Sequence, residues 1–473
     1  MNAISTQTFR IKIQGRVQGV GFRPFVYKLA QEFKLLGQVY NNAEGVIIEV
    51  NIHPEKLGQF CTQLIEKAPP QSEILTLEKE ESPSLGFSDF QILPSQKNQK
   101  LNLPLTPDFA LCDQCRKDIR DPQNRRFQYP FTSCVNCGPR YALTQDFPFE
   151  RDHTSLEAFP MCPVCTQEYE NPNDRRFHSQ TNSCPQCGPK TQLVDKQGTI
   201  ISQDNTILFK KAAELIREGS ILTLKNTSGY LLCGDARSAA VVRKIRERKR
   251  RPRKPLAVLY PSLDLLEAHF DLKAIEKQAL TSSWAPIVLM GLERYRGNLA
   301  RDEIAPDLNQ LGVMLPHSAL LQLLLDQLSF PIIATSGNIH GSPILREETE
   351  ARQILASVAD YFLEHNLPIT FPQDDSVVKF SPKHEHAILM RRSRGLAPNY
   401  LSPSLKNHPP VLAMGAHLKN SIAFIPEKHV YLSPYFGNMD NYEVSLRSKE
   451  TVDKYLNIFE KKPAFILVDQ NPR

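Results

Sequence analysis

Eight of the ten cysteines form four Cys-x-x-Cys pairs, a spacing that lets two thiolates bind one metal ion. The pairs belong to two copies of one unit, in which 18 residues separate two Cys-x-x-Cys motifs. The copies begin 50 residues apart, at Cys112 and Cys162, and share an Arg-Arg-Phe triplet, which indicates a duplication. Four cysteines complete a tetrahedral Zn²⁺ shell and leave no open position, so we expect two structural zinc sites.

The expected ligands lie within each copy. They are Cys112, Cys115, Cys134 and Cys137 for the first ion, and Cys162, Cys165, Cys184 and Cys187 for the second. Exchange of cysteine pairs between the copies is an alternative arrangement, and redox-active pairs or disulfides are an alternative chemistry. Evenly spaced pairs in a large chain without a signal sequence favour metal. His153 and His178 lie nearby, and we do not expect either to be a ligand.

A glycine-rich segment, GRVQGVGFRPF, runs from Gly15 to Phe25 between a predicted strand and a predicted helix. Its glycines allow successive backbone N–H groups to converge on an anion, and the helix N-terminus adds the positive end of its dipole. Arg23 adds a guanidinium that can bind phosphate in two places. The alternative is a fold-forming turn with an arginine on the surface.

GRVQGVGFR closely resembles the acylphosphatase signature, and GQVYNNAEG resembles the stretch in which that family places a catalytic asparagine, here Asn41. The resemblance implies that Arg23 holds the phosphate of an acyl phosphate and that Asn41 orients the attacking water. The implied phosphate loop consists of Gln18, Gly19, Val20, Gly21 and Phe22. No general base is needed, because an acyl phosphate is already activated and positioning supplies most of the rate.

A basic run from Arg243 to Lys254 contains nine Lys or Arg residues and leads directly into the apolar segment PLAVLY. Two further segments, FPIIATSGN and DDSVVKF with ILMRRSRG, place polar residues at predicted strand ends, where α/β proteins usually bind ligands. We therefore favour a site for a small anionic ligand. A solvated helix face and a nucleic-acid patch are the alternatives.

A Lys-x-Arg…Ser-x-Asn pattern resembles the threonylcarbamoyl-adenylate synthase (YrdC-like) family, and VMLPHSALLQLLL and RRSRGLAP match other stretches of it. The resemblance implies one cavity in which ATP, with Mg²⁺, and a carbamate-type substrate form an acyl-adenylate. The implied binding residues are Lys249, Arg251, Ser336, Asn338, His317, Ser376, Arg391 and Arg394. The turn at Asn226-Thr227-Ser228, with Leu231, departs from the glycine-richer turn of that family.

The hydrophobic periodicity predicts a multidomain chain of α+β and α/β type. Residues 8–93 show the order β-α-β-β-α-β of a ferredoxin-like sandwich, with the first helix predicted from Pro24 to Leu36. The expected domains are an acylphosphatase-like domain (5–94), a duplicated four-cysteine zinc module (105–192), a YrdC-like α/β domain (203–398) and the N-terminal part of a further, actin-like ATPase-fold domain (409–473). A polar linker is expected around 94–104.

Composition sets the class of protein. The chain has 473 residues, of which 41% are hydrophobic and 23% charged, an ordinary globular profile. The net charge of +6 suits anionic ligands but does not require nucleic acid. No apolar stretch approaches the ~18 residues of a membrane span, and the N-terminus lacks a signal region, so we expect a cytoplasmic protein without membrane contact.

The order of these four units resembles one family, the hydrogenase maturation carbamoyltransferases (HypF). The resemblance implies that carbamoyl phosphate is hydrolysed to carbamate, which ATP converts into carbamoyl-adenylate with release of pyrophosphate. It further implies transfer of the carbamoyl group to the C-terminal cysteine of the partner HypE, as the precursor of a cyanide ligand in nickel–iron hydrogenase. Nucleic acid is not an expected partner.

One motif of that family has no counterpart here. Its C-terminal domain uses a His-x-x-x-His metal motif, which the twelve histidines of this sequence do not form; GAHLKNS and YLSPYFGNMDN match only the start of that domain. We therefore expect that this chain alone makes the adenylate but lacks the part that completes transfer. The alternatives are a tRNA-modifying enzyme that makes threonylcarbamoyl-adenylate and a non-enzymatic zinc scaffold that binds nucleic acid.

Overall fold

The computed structural model of the chain describes residues 6–96, 103–401, 408–427 and 429–470. Its first unit is a five-stranded sheet with the strand order β4-β1-β3-β2-β5. The strands are β1 (Gln7–Arg16), β2 (Leu36–Asn42), β3 (Gly45–Ile52), β4 (Glu73–Glu81) and β5 (Phe90–Ile92). Two helices, α1 (Phe22–Glu32) and α2 (Pro54–Glu66), bury Val26, Leu29, Phe60 and Leu64 in the same core as the sheet residues Ile11 and Ile13.

The predicted ferredoxin-like order is confirmed, with differences at its edges. β4 and β5 close the sheet from opposite sides, β4 against β1 and β5 parallel to β2. The helix predicted from Pro24 to Leu36 begins and ends earlier, at Phe22 and Glu32. It ends there because Lys34 adopts a φ of 55°, outside the helical region, and Leu36 already belongs to β2.

The cysteine repeats form a unit with little regular structure. Its two α-helices, α3 (Asp113–Arg120) and α4 (Pro163–Glu170), each begin directly after the first cysteine of a copy. Three 3-10 turns, at Tyr141–Leu143, Arg151–His153 and Ser155–Ala158, make up the rest of its helical structure. A unit with so few ladder hydrogen bonds depends on its thiol clusters and buried side chains for order.

The third unit contains an eleven-stranded sheet with the order β16-β15-β11-β12-β10-β13-β9-β8-β14-β6-β7. Its strands are β6 (Thr191–Asp195), β7 (Ile200–Ser202), β8 (Leu222–Asn226), β9 (Gly229–Asp235), β10 (Ala257–Leu259), β11 (Ile287–Gly291), β12 (Gln310–Met314), β13 (Ile332–Ser336), β14 (Tyr361–His365), β15 (Val377–Phe380) and β16 (Ala387–Arg391). The apolar segment that follows the basic run becomes β10, and the apolar segment that leads into the Ser-x-Asn pattern becomes β13. These two strands are neighbours in the middle of the sheet. β6 begins inside the range predicted for the zinc module, and the predicted domain boundaries themselves stay predictions.

Helices cover both faces of this sheet. They are α5 (Asn205–Arg217), α6 (Ala239–Arg248), α7 (Leu263–His269), α8 (Ala274–Thr281), α9 (Arg301–Ile304), α10 (Ala319–Leu325) and α11 (Glu348–Leu355), with a 3-10 turn at Leu292–Arg294. The basic run is helical only as far as Arg248, because Arg250 has a φ of 52° and the proline-rich segment follows. Within the described parts of the chain, no helix is both long and apolar enough to cross a membrane.

The last unit is a five-stranded sheet with the order β17-β20-β19-β18-β21 and one long helix. Its elements are β17 (Asn399–Leu401), β18 (Val411–Ala413), β19 (Ala423–Ile425), β20 (Val430–Leu432), α12 (Tyr442–Phe459) and β21 (Phe465–Leu467). Its core also takes in side chains from outside the unit. Leu103, Leu105, Tyr141 and Phe371 belong to the same buried cluster as Tyr455 and Phe459.

Candidate active sites

Each cysteine repeat brings its own four thiols together. In the first cluster Cys112 Sγ lies 3.7 Å from Cys134 Sγ, and Cys115 Sγ lies 3.5 Å from Cys137 Sγ. The corresponding distances in the second cluster are 3.7 Å and 3.6 Å. Within each group of four the ligand atoms all lie within 4.8 Å of one another. The structure therefore shows the local arrangement and not the exchange of pairs between copies.

These spacings fit zinc. Zn–S bonds of about 2.3 Å in a tetrahedron require sulfur atoms about 3.8 Å apart. All ten cysteines lie in the described ranges of the chain, and none of them forms a disulfide there. The two histidines that we did not expect to be ligands have other contacts. His153 Nδ1 lies 2.7 Å from the Pro148 carbonyl. The His178 ring packs against Tyr169 and Phe177. The two clusters indicate structural zinc.

Each copy places an arginine against the cysteine cluster of the other copy, whereas each thiol cluster is built from one copy alone. Arg125 of the first copy donates to Cys162 Sγ over 3.5 Å, and Arg175 of the second donates to Cys115 Sγ over 3.3 Å. An ion held by four thiolates leaves a net charge of −2 on the cluster. The guanidinium of each copy therefore offsets the charge of the other copy's cluster.

The phosphate loop joins β1 to α1 and is shaped by two glycines in the left-handed region. Gly19 has a φ of 70°, and Gly21, the N-cap of α1, has a φ of 77°. A Cβ at Gly21 would lie 2.9 Å from Val135 Cβ, so this position also requires glycine for space. Arg23 follows in the first turn of α1 and is 8% exposed.

Asn41 lines the same cavity as Arg23. It lies near the end of β2, is 2% exposed, and its Oδ1 has no hydrogen-bond partner. Gln18 Nε2 donates to the carbonyls of Asn42 (2.8 Å) and Gly45 (3.2 Å), which ties the phosphate loop to the β2–β3 turn. The loop, the arginine and an unoccupied amide acceptor thus meet at one place.

Two neighbours hold the Arg23 guanidinium. Its Nη1 donates to Ser95 Oγ over 3.2 Å, and its Nη2 lies 2.8 Å from Glu150 Oε1. The Ser95 hydroxyl in turn donates to Glu150. A phosphate that binds Arg23 must therefore compete with a carboxylate supplied by the zinc module. Nothing in the spacing of the sequence marked Glu150, which lies far from the loop along the chain.

The zinc module also covers the phosphate loop. Arg140 Nε donates to the Gly19 carbonyl over 2.6 Å, and Val135 and Phe149 pack over Gly21 and Gly19. The two units together line a narrow cavity. His178 lines it as well, and burial together with the charge of Arg23 lowers the pKa of this histidine to about 4.

A second, larger pocket of about 650 Å³ lies at the end of β13 and the start of β15. Four of the residues implied by the YrdC resemblance line it, namely Arg251, Ser336, Asn338 and Arg391. Residues that sequence reasoning missed complete the lining, among them Lys254, His340, Asp374 and Asp375 of the third unit and Lys419, Tyr435 and Asn438 of the last unit. The last unit therefore forms part of the pocket wall, and no local sequence pattern predicted this contribution.

Lys249 lies behind this pocket and supports it. Its ammonium is fully buried and donates to the Ser336 carbonyl, to the Asn338 carbonyl (2.7 Å) and to Asn338 Oδ1 (2.6 Å). Burial holds the pKa of Lys249 well below its usual value, and Arg251 lowers it further. The lysine fixes the Ser-x-Asn segment, while Arg251 faces the pocket itself.

The remaining implied residues lie elsewhere. Ser376 is buried, donates to the Arg394 carbonyl (2.9 Å) and accepts from the Ser393 amide. His317 and Arg394 line a third, narrow cavity between the zinc module and the third unit. The unusual turn of this chain contributes to it, because Thr227 lines the cavity and Asn226 Nδ2 lies 2.8 Å from the Nε2 atom of His317.

Four families match the chain in the order of its units. They are the acylphosphatase family (residues 9–92), the HypF finger (111–144 and 161–194), the family described as telomere recombination, which covers Sua5, YciO and YrdC (214–393), and the HypF Kae1-like domain (406–473). A shorter relative, an acylphosphatase of Pseudothermotoga lettingae, is 36% identical over 91 residues, which cover 19% of this chain and 99% of that protein.

Relatives that match almost the whole chain share one name. The carbamoyltransferase HypF of Synechocystis is 39% identical over 466 residues, 98% of this chain. A crystal structure of full-length HypF in the phosphate- and nucleotide-bound form superposes with a TM-score of 0.94 and 34% identity over all of this chain and 61% of that one. The chain spans 60% of the length of the Synechocystis relative. With its four matching units in the same order and its fold shared throughout, the chain belongs to the HypF family.

Proposed function

We propose that this chain hydrolyses carbamoyl phosphate in the cavity of Arg23 and Asn41 and joins the resulting carbamate to ATP in the large pocket. The observation that carries the proposal is the meeting of a glycine-shaped loop, a buried arginine and an unpaired asparagine oxygen in one small cavity. A family of carbamoyltransferases with the same unit order supports carbamoyl phosphate as the substrate.

In the first step, a water oxygen attacks the phosphorus of carbamoyl phosphate, and the bond between phosphorus and the carbamoyl oxygen breaks. Carbamate leaves, and the water oxygen stays on inorganic phosphate as its proton passes to solvent. Arg23 and the N–H groups of the phosphate loop hold the phosphoryl oxygens, and the helix end of α1 adds its dipole. Asn41 Oδ1 accepts a hydrogen bond from the attacking water and so orients it. Orientation of this kind removes much of the barrier because the leaving group is already good.

In the second step, a carbamate oxygen attacks the α-phosphorus of ATP, and carbamoyl-adenylate and pyrophosphate form. Arg251 and Arg391 face the pocket and offset the charge that develops on the departing pyrophosphate. Burial lowers the pKa of Arg251 to about 10, so this guanidinium stays charged at neutral pH. Mg²⁺ prefers carboxylate and phosphate oxygens, and Asp374 in the pocket lining is the residue that would join ATP in holding it.

The third cavity lies between the zinc module and the third unit, and it is the proposed passage for the labile intermediate. Its lining includes Ser133 and Gly138, which flank Val135 of the phosphate cavity in the chain, and Arg394, which pairs with Asp375 of the large pocket. Carbamate is an anion that decomposes in water, and a buried route past a guanidinium would keep it from solvent. Structural zinc holds the module that walls this route.

Assays on the purified protein test the proposal. We expect phosphate release from carbamoyl phosphate and ATP–pyrophosphate exchange that depends on carbamoyl phosphate. Exchange that instead requires threonine and bicarbonate would favour a threonylcarbamoyl-adenylate synthase. Absence of both phosphate release and exchange from a protein that retains two zinc ions would contradict the proposal.

Transfer to the C-terminal cysteine of HypE belongs to the same proposed pathway. The prediction that this chain alone does not complete it rests on the missing His-x-x-x-His motif in its sequence. Mass spectrometry of HypE after incubation with this protein, carbamoyl phosphate and ATP tests that prediction. Full carbamoylation of HypE would show it to be wrong.

A further inference from the structure

The phosphate cavity has a second wall that a single-domain acylphosphatase lacks. The Pseudothermotoga lettingae acylphosphatase aligns over 99% of its length with 19% of this chain, so the zinc module has no counterpart in it. Here residues 178–180, from the second cysteine repeat, line the cavity beside Arg23 and Asn41. Any selectivity that this wall imposes is therefore specific to the longer chain.

Only one polar side chain of this wall segment is both buried and unpaired. Gln180 is fully engaged, because its Oε1 accepts from the Arg151 amide (3.1 Å) and its Nε2 donates to the Tyr169 hydroxyl (3.0 Å). Ser179 is 2% exposed, and its hydroxyl has no hydrogen-bond partner. Its backbone is held, since the Ser179 amide donates to the Arg176 carbonyl over 2.8 Å. The backbone of Ser179 is thus held at the cavity wall, and its hydroxyl has no partner within the protein.

Two more residues of the cavity lining each carry a buried oxygen without a partner, Gln18 Oε1 and Asn41 Oδ1. A buried polar atom left unpaired costs roughly 1–3 kcal/mol, so three of them in one cavity indicate a polar ligand. Arg23 and the loop amides account for the phosphate, and Asn41 accounts for the water. The amide group of a carbamoyl substrate still needs acceptors, because it carries two N–H donors.

We propose that Ser179 contacts the substrate and selects the carbamoyl group, its Oγ accepting a hydrogen bond from the carbamoyl NH₂. Acetyl phosphate has nearly the same shape but a methyl group in place of the NH₂, so it leaves the hydroxyl unpaired. A site built to pair a donor rejects the analogue that lacks it. The inference rests on the proposed hydrolysis of carbamoyl phosphate and adds the residue that distinguishes it from other small acyl phosphates.

The test compares phosphate release from carbamoyl phosphate and from acetyl phosphate. In Ser179→Ala we expect kcat/KM for carbamoyl phosphate to fall about tenfold, which corresponds to one hydrogen bond, while the value for acetyl phosphate stays within about twofold. The preference for carbamoyl phosphate therefore falls about tenfold. Ser155→Ala is the matched control, since Ser155 is also a buried serine of this module with an unpaired hydroxyl but is not in the lining of the cavity.

The outcomes separate this inference from the proposed function. A wild-type protein that releases no phosphate from carbamoyl phosphate would overturn the proposed function, and this inference with it. Normal wild-type turnover with an unchanged substrate preference in Ser179→Ala would overturn the inference alone, as would an equal loss of preference in Ser155→Ala. Zinc content and the thermal midpoint verify folding, and if Ser179→Ala loses zinc, Ser179→Gly removes the same hydroxyl and is judged by the same ratio.

Discussion

Arg23 meets a carboxylate of its own chain before any substrate arrives. The guanidinium lies 2.8 Å from Glu150 Oε1 and donates to Ser95, so binding of a phosphate must displace or rearrange this contact. The pairing keeps a nearly buried charge from standing alone, which would be costly. It also makes the affinity for phosphate depend on the position of the zinc module.

Arg23→Gln tests the residue on which phosphate binding depends. We expect kcat/KM for carbamoyl phosphate hydrolysis to fall by roughly 10²–10³-fold, because a neutral amide cannot replace the charged donors that hold the phosphoryl oxygens. Arg10→Gln, on the preceding strand and away from the cavity lining, serves as the control and should retain turnover. Unchanged turnover in Arg23→Gln would rule out the site.

His317 makes stability depend on pH. Burial, helped by the charge of Arg394, lowers the pKa of His317 to about 3, whereas an unfolded histidine has a pKa of about 6.5. Below pH 6.5, His317 therefore binds a proton in the unfolded chain but stays neutral in the folded chain until the pH approaches 3. The contribution of the neutral histidine to stability is complete above pH 6.5 and is lost as the pH falls towards 3.

His317→Gln removes this titration. Relative to the variant, the wild-type free energy of unfolding should fall by about 3 kcal/mol between pH 7 and pH 4, measured by denaturant titration of the transition that includes this unit. The exposed His384 provides the control substitution, His384→Gln, which should keep the wild-type profile. A constant difference between wild type and His317→Gln across this range would contradict the assignment.

At the scale of elements, the two cysteine repeats are interlocked by their arginine loops. Arg126 of the first copy is 1% exposed and donates to Glu168 of α4 over 2.9 Å, to the Ser183 carbonyl over 2.9 Å and to Asn182 Oδ1 over 2.8 Å. Arg176 of the second copy pairs in the same way with Asp118 of α3. Each copy thus needs the other to satisfy its buried charges, and the duplicated unit folds as one body.

Arg126→Leu breaks this interlock. Glu168 then keeps only the more exposed Arg125 as a counter-charge, and the Ser183 carbonyl and Asn182 Oδ1 lose their donor. We therefore expect a loss of roughly 2–3 kcal/mol in stability and reduced retention of zinc by the second cluster. Thermal unfolding and metal analysis measure the two effects. Arg120→Leu removes a surface pair with Asp326 and should cost no more than about 1 kcal/mol. Equal behaviour of the two variants would refute the interlock.

At the scale of the whole molecule, one buried cluster joins parts of all but the first unit. Tyr455 of α12 and Tyr141 of the zinc module share a hydrogen bond of 2.9 Å, and Tyr141 stacks on Phe371 of the third unit with ring centroids 4.3 Å apart. The Tyr431 hydroxyl donates to the Leu103 carbonyl over 2.8 Å. Because the last unit shares its core with its neighbours, it can form a fixed wall of the large pocket.

Tyr455→Ala should loosen that wall. Loss of a fully buried aromatic ring costs roughly 3–5 kcal/mol, so we expect residues 408–473 to become sensitive to limited proteolysis at protease concentrations that leave the wild type intact. Tyr442→Ala, at the exposed start of the same helix, should behave as the wild type does, since Tyr442 is 79% exposed. Equal resistance of Tyr455→Ala would show that the shared core does not hold the last unit.

Much of the architecture could be predicted from local pattern. Period-two alternation marked β1, an Asn/Gly turn between two apolar segments marked β2 and β3, and helical spacing marked α1 and α2. The family that the motifs predicted is confirmed by the matching units. The predicted ends of helices were less accurate, as α1 shows. Lys34 and Arg250 adopt a left-handed backbone conformation after their helices, and a lysine or an arginine does not itself predict that conformation. The assigned roles of the site residues stay predictions.

The sequence by itself determined the residue types that each site needs, because thiolate pairs, a glycine-rich turn and clustered arginines carry their chemistry in short spacings. Only the tertiary structure decided which residues meet. It grouped the four thiols of each repeat and placed an arginine of each repeat against the cysteines of the other. It also brought Glu150 and Ser179 to the phosphate cavity and placed Lys419 in the wall of the large pocket. These contacts join residues far apart in the chain, and their partners are chosen by the packing of whole units, which no local spacing records.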